Sequence, residues 1–209
     1  MWVIVGLGNP GKKYAKSRHN VGFVLIQKLA DKHKTKLKKR KYSAKAAQVE
    51  LASGPALLVK PWTYMNRSGV AVSGLIEGGG VSLDRLLVVY DDLDIPLGEI
   101  RIRNKGGPGT HNGMASVVQE INSTEFPRIR IGIGPLPPDV DATDYVLDDF
   151  SQEERPILEG CLIMTEKAVN LIMTSGVSEA MNKFNRRPTR PTSTPTPPAL
   201  ASRKIKDRK

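Results

Sequence analysis

Three kinds of hydrophobic pattern alternate along the chain. Continuous apolar runs at Trp2–Leu7 (WVIVGL) and Leu86–Tyr90 (LLVVY) read as strands buried on both faces, the second ending at Asp91. Strict alternation marks half-buried strands at Ile100–Arg103 (IRIR) and Arg128–Ile133 (RIRIGI). Apolar positions at helical spacing, Val21, Leu25 and Leu29, define one helix, with a polar loop over Asn9–Arg18 ahead of it. Cys161, Met164, Ala168 and Ile172 define a longer helix that Gly176 stops, followed by a short one over Ser178–Phe184. The turn sequence Ser53-Gly54-Pro55 between Ser43–Leu51 and Ala56–Lys60 predicts a hairpin. Val70–Gly74 predicts a short helix ended by Gly78–Gly80, and a glycine-rich loop, Gly106–Gly109, precedes a helix over Asn112–Ile121. Strands and helices in this order predict an α/β fold: a single globular domain over residues 1–185 whose mixed, largely parallel central sheet is flanked by helices. From residue 186 to 209 a Pro/Thr/Ser-rich basic run cannot bury a core, and a disordered tail is expected.

Composition narrows the class. The chain has 209 residues, 39% of them apolar, which is enough for one sizeable core, and its single cysteine excludes a disulfide framework. No apolar run approaches the ~20 residues that span a bilayer, and Met1–Gly11 lacks the charged start of a signal peptide. The expectation is a cytoplasmic protein with no membrane partner. Charge is uneven: residues 1–60 carry 14 Lys/Arg against two acids, 61–185 carry 10 against 18, and 186–209 carry eight against one. That asymmetry suits a polyanionic partner, although charge alone leaves a solvated face plus a basic tail as an equal reading.

Gly6, Gly8 and Gly11 match the G-x-G-x-x-G pattern, but no helix opens directly from this loop and the next strand offers only Glu50 as an acid. A tight turn exposing Asn9 is the better reading. Zinc-type spacing and a nucleophile elbow are both absent, and Cys161 falls on an apolar helical stripe, so neither zinc nor covalent catalysis has a candidate. Asp91, Asp92 and Asp94 offer a magnesium-like cluster whose commoner use is a turn or an ion pair. Of three histidines, His33 lies in a lysine-rich run, whereas His19 and His111 each precede asparagine at a loop-to-helix junction. A neutral imidazole oriented by a carboxylate is the arrangement that activates water near pH 7. If the strands ending at Leu7 and Tyr90 are neighbours, Asp91 comes near His19 at the carboxyl edge of the sheet.

Val5–Gly11 (VGLGNPG) with Tyr14, Ser17–Gly22 (SRHNVG) and Lys60–Gly69 (KPWTYMNRSG) resemble the bacterial-type peptidyl-tRNA hydrolases. So do Tyr90–Pro96 (YDDLDIP), Gly106–Gly113 and Arg128–Gly134 (RIRIGIG), in the same order along the chain. The resemblance implies a monomeric, cofactor-free enzyme that cleaves the ester joining a peptide to the 3′ ribose of tRNA. By motif position His19 is then the general base, Asp91 orients it, and Asn9, Asn66 and Asn112 bind substrate. Met65 and Tyr14 are implied as pocket wall, and His111 as a lining residue. The tRNA acceptor stem would meet Arg103, Lys105 and Arg130, and the peptide main chain the asparagines. The Lys28–Lys45 cluster extends that positive field or is a solvated helix end. Thr110 stands where the family usually has glycine, Trp62 is bulkier than many residues at its place, and Ser17 replaces a common threonine. Two other readings are an RNA-binding relative without hydrolytic activity and a nucleotide-dependent oxidoreductase.

Overall fold

The computed structural model describes residues 1–185 except Lys41 and Ala52; the expectation of a disordered tail lies outside these residues. Seven strands form one sheet: β1 (Trp2–Gly6), β2 (Lys38–Arg40), β3 (Ala44–Leu51), β4 (Gly54–Pro61), β5 (Leu86–Pro96), β6 (Ile100–Arg103) and β7 (Arg128–Gly134). Their order is β2-β3-β4-β1-β5-β7-β6. The inner four, β4, β1, β5 and β7, run parallel, and antiparallel neighbours close both flanks. β1 and β5 are therefore adjacent, as their apolar runs demand, with Val3 to Gly6 opposite Leu86 to Val89.

Six helices cover the sheet: α1 (Val21–Lys32), α2 (Ser68–Gly79), α3 (Asn112–Ile121), α4 (Ala142–Leu147), α5 (Glu154–Ser175) and α6 (Val177–Phe184). α1, α5 and α6 bury apolar faces with Ile4, Leu58, Leu87 and Ile129 on one side of the sheet. α2 and α3 cover Val3, Val5, Leu86 and Val88 on the other. A third, smaller apolar cluster joins Ile133, Tyr145 of α4 and Phe150 beyond the carboxyl ends of β5 and β7. Among the described residues no helix is long and apolar enough to cross a membrane.

Several elements differ from the pattern reading. β5 does not stop at Asp91 but continues to Pro96, because Asp91 and Asp92 keep their pairing with β7. α2 starts at Ser68 and is longer than the apolar stretch alone suggested, ending where Gly80 turns left-handed at φ 60°. β2 carries no apolar residue and α4 is only six residues long, so neither has a hydrophobic signature to read. In β7 the alternation is not a polar face: Arg128 is buried, its guanidinium donating to the carbonyls of Gly106, Gly107, Thr124 and Phe126.

The close approach of α1 to β1 depends on glycine at Gly6 and Gly22. A Cβ on Gly22 would collide with the Leu7 backbone and the Val89 carbonyl, so glycine lets α1 lie directly on β1 and β5. That contact fixes where the turn before α1 sits. Gly22→Ala is expected to cost about 3 kcal/mol, the upper range for overpacking, because the obstacle is backbone. Urea unfolding checks this, and an unchanged midpoint would contradict the close-packing account.

Candidate active site

The carboxyl edge of the sheet borders a cavity of about 790 Å³. Its lining gathers residues from five places: Asn9 after β1, His19 before α1, Tyr64 to Asn66 after β4, Asp91 to Asp94 in β5, and Lys105 to Asn112 before α3. Arg103, Arg128 and Arg130 line it from β6 and β7, and Ala142, Thr143, Val146 and Leu147 from α4.

Asp91 is the electrostatic centre. It is 2% exposed, so bulk water does little to solvate its charge, and it is flanked by two imidazoles. His19 Nδ1 lies 2.9 and 2.8 Å from Oδ1 and Oδ2, and His111 Nε2 lies 3.0 Å from Oδ1. Burial by itself would raise this carboxyl, but His111 and His19 outweigh it and hold Asp91 well below the usual carboxylate range.

The bond pattern assigns the tautomers. His111 caps α3, its Nδ1 accepting from the Met114 N–H at 3.1 Å, so its proton is on Nε2 and goes to Asp91. Both of its nitrogens are occupied. His19 gives its Nδ1–H to Asp91, which leaves the Nε2 lone pair available, the atom a general base needs. His19, Asp91 and His111 also form a donor group within 4.8 Å that is compact enough for a metal ion. The nitrogens facing Asp91 carry protons in this arrangement, so they present no lone pairs to one.

Asn9 is buried, not exposed as the tight-turn reading has it, because its backbone and side chain are bonded on both sides. Its N–H donates to Asn20 Oδ1 at 2.7 Å, and Asn20 Nδ2 donates back to the Asn9 carbonyl at 2.9 Å. Its side-chain Oδ1 accepts from the Met65 N–H at 2.8 Å. The amide orientation is thereby fixed, and only Nδ2 remains to act on a ligand, as a donor. Asn66 and Asn112 are exposed at the cavity mouth, and Met65 is buried in its wall.

Tyr14 does not line the cavity. It lies half-buried in the 3₁₀ turn Lys12–Tyr14, where its carbonyl accepts from Ser17 Oγ, which corrects its reading as pocket wall. Arg103, Lys105 and Arg130 do border the cavity, the last two not as bare charges: Arg130 is paired with Asp92, and Lys105 lies 3.2 Å from Glu125. Thr110 keeps a negative φ, so this backbone position does not require glycine; the left-handed residue is Gly109, at φ 61°.

Pattern reading missed Asn20, Arg128 and α4. Asn20 lies in the quoted SRHNVG block, but its partner is eleven residues back and has no periodic signal. For α4 a signal existed: Asp141 before Ala142–Leu147 is a helix N-cap, accepting from the Thr143 and Asp144 N–H groups at 2.8 and 3.2 Å.

Comparison with known proteins identifies the family. The family model for peptidyl-tRNA hydrolase matches residues 3–192. The chain belongs to the peptidyl-tRNA hydrolase family. It is 45% identical over 186 residues to the peptidyl-tRNA hydrolase of Chloroflexus aggregans, covering 88% of this chain and 99% of that one. To the enzyme of Carboxydothermus hydrogenoformans it is 46% identical, covering 89% and 99%. A crystal structure of peptidyl-tRNA hydrolase from Acinetobacter baumannii superposes with a TM-score of 0.82 at 35% identity, covering 88% of this chain and 94% of that one.

The low Asp91 value has a consequence for stability. Its carboxyl titrates lower in the folded chain than in the unfolded chain, so the stabilisation is complete above the ordinary value of 3.8 and is lost as pH falls through and below it. Between about pH 5 and pH 3 the urea midpoint of the wild type is expected to fall more steeply than that of Asp91→Asn. Parallel pH profiles would show that the carboxylate is not held by the imidazoles.

Proposed function

We propose that this chain hydrolyses the ester between a peptide, or an N-blocked aminoacyl group, and the 3′ ribose of tRNA, using water activated by His19. The observation that supports this most directly is the free His19 Nε2 beside a buried, ionised Asp91 in a cavity lined by Asn9, Asn66 and Asn112. His19 Nε2 takes a proton from water as the water oxygen attacks the ester carbonyl carbon. The imidazolium that forms keeps its Nδ1–H on Asp91, so the new positive charge appears next to a fixed negative one. Asn9 Nδ2 and Asn112 are the donors for the carbonyl oxygen as its charge grows. On collapse the ribose oxygen leaves and recovers a proton from His19, and acid and free tRNA are released.

His111 has a positioning role in this scheme, because its two nitrogens are committed to Asp91 and to the Met114 N–H. Asn9 contributes only a donor, which suits recognition of a main-chain or ester carbonyl whatever the side chain. The chemistry needs no cofactor. Arg103, Lys105 and Arg130 are the phosphate-binding residues on this reading, with Arg130 exchanging Asp92 for phosphate. All of the side chains invoked come from one chain, which is consistent with a monomer, and a tRNA substrate is consistent with a cytoplasmic protein. Residues 1–185 form the catalytic domain, and the basic run 186–209 is accessory.

The alternative of an RNA binder without hydrolytic activity leaves the free His19 nitrogen and the ionised Asp91 without a purpose. Release of tRNA from an N-acetylated aminoacyl-tRNA, in the presence of a chelator, separates the two. Wild type is expected to cleave and His19→Ala to lose about 10²- to 10⁴-fold in rate with tRNA affinity largely kept. Cleavage at the wild-type rate by His19→Ala would remove the general-base role, and binding without cleavage by wild type would favour the pure binder. Arg130→Ala is expected to weaken tRNA binding and make its salt dependence shallower by about one unit of slope, and an unchanged slope would end the phosphate assignment.

A further inference from the structure

Three lysines stand in register across three neighbouring strands. Lys39 of β2 is opposite Lys45 of β3, and Lys45 is opposite Lys60 of β4. Residues directly opposite share one face of a sheet, at a strand spacing of about 4.8 Å, and like charges so placed destabilise it. Lysine on an outermost strand has an ordinary use in blocking edge-to-edge association. That use does not extend to β4, the third strand in, where Lys60 is buried.

Asp31 acts on the row only at one remove, through Gln27, whose Nε2 donates to Asp31 Oδ1 at 2.9 Å. Among the described residues none of the three forms an ion pair, and the Lys60 ammonium donates to a neutral acceptor, Gln27 Oε1, at 2.9 Å. Aromatic faces take up part of the charge instead: Lys45 Nζ is 3.4 Å from the Trp62 ring centroid and Lys60 Nζ 5.4 Å from that of Phe23. The two rings are nearly parallel, with centroids 6.5 Å apart. Burial, opposed by Asp31 and reinforced by Lys45, pushes the Lys60 ammonium down to about 8. Trp62 is 38% exposed, so the patch opens to solvent.

The row also adjoins the cavity. It lies at the carboxyl end of β4, the end from which Tyr64, Met65 and Asn66 enter the cavity lining. Phe23 packs against Gly8, the residue before Asn9. By strand spacing, β4 is about 10 Å and β2 about 19 Å from the strand that carries Asp91, on the flank opposite Arg103 and Arg130.

We propose that Lys39, Lys45 and Trp62, with the charge of buried Lys60 beside them, form a second RNA-binding surface, which takes phosphodiester groups of the bound tRNA outside its 3′-terminal residues. A row of lysines in register matches a polymer with a charge on every unit, whereas a peptide of arbitrary sequence offers no such repeat. Exposed Lys34, Lys36 and Lys38 extend the same flank. The assignment of tRNA as the polymer rests on the proposed hydrolase function.

The test uses the full chain with Lys39→Gln and Lys45→Gln combined, neither residue belonging to the catalytic group. Two substrates are compared: full-length N-acetylaminoacyl-tRNA, and the same N-acetylaminoacyl ester on a CCA trinucleotide. With full-length tRNA the double variant is expected to show a higher KM, unchanged kcat and a binding slope against salt shallower by about 1.4 to 1.8, so that affinity falls about tenfold less between about 50 and 200 mM salt. On the trinucleotide ester its KM and kcat should equal those of wild type, and its Tm should be unchanged or higher because like charges have been removed. Lys39→Arg with Lys45→Arg should keep the wild-type slope. An unchanged slope and KM in the folded Gln variant would overturn the proposal and leave edge protection as the lysines' role. An equal KM increase on the trinucleotide would also overturn it, by placing the effect in the cavity. If wild type cleaves neither substrate, the hydrolase reading fails, while the salt slope of binding to uncharged tRNA still judges the row.

Discussion

A buried carboxylate with two imidazoles on it sets the terms for the rest of this molecule. Asp91 can stay ionised at 2% exposure only if donors surround it, and the donors are His19 and His111, 72 and 20 residues away in sequence. Breaking such a group by removing one partner leaves a buried charge poorly compensated, which is far costlier than losing an exposed ion pair. Three segments must therefore meet at one point: the end of the β5 apolar run, the turn before α1, and the start of α3. The fold can be understood as the arrangement that lets them. β1 and β5 are neighbours, Gly22 lets α1 press onto both, and the Arg18–Asn20 turn then brings His19 over the edge of the sheet.

The same contacts divide the labour between the two histidines, which the local motifs, each His-Asn, do not distinguish. His111 is a helix cap, and the Met114 N–H on its Nδ1 commits its second nitrogen to Asp91. His19 sits in a turn where no backbone donor faces Nε2, and that nitrogen opens on the cavity. Asn9 has undergone an equivalent restriction: Met65 consumes its acceptor and leaves a donor. Selectivity here comes from hydrogen bonds already satisfied inside the protein, which decide what each remaining atom can offer a ligand.

What could be read from the chain before folding follows from what has a period. The apolar stripe of α5 repeats at 3.6 residues, β1 is marked by an unbroken apolar run, and turn residues bound the β3–β4 hairpin and α3; the structure has each within a few positions. The pairing of His19 with Asp91 was legible as a conditional, because it needed only that two buried strands be neighbours. Asn20, the sharing of Asp91 by a second histidine, and the burial of Arg128 were not legible, since each depends on a partner chosen by tertiary folding. Arg128 misled for a physical reason: an alternating Arg/Ile strand looks half-exposed, but the carbonyls of the glycine-rich loop before α3 close over the guanidinium. Tyr14 misled in the opposite sense, since its block matches the family while its 3₁₀ turn keeps the ring off the cavity.

Arg18 shows how the small third core is tied to the reacting group. Its side chain donates to the Asp149 carbonyl at 3.0 Å and to Glu154 at 2.8 Å, and its guanidinium lies 4.3 Å from the Tyr145 ring centroid. Its own N–H donates to the Asp148 carbonyl at 2.9 Å. The residue next to His19 is thus clamped to the segment that follows α4, and α4 supplies Val146 and Leu147 to the cavity wall. One arginine therefore holds both the α4 wall of the cavity and the turn that carries His19. Register between them does not rely on α4, which at six residues is too short to be a stable helix alone. The charge on Arg18 is satisfied by Glu154 at the start of α5, so the clamp reaches back to the longest helix in the fold, whose apolar face is anchored in the main core.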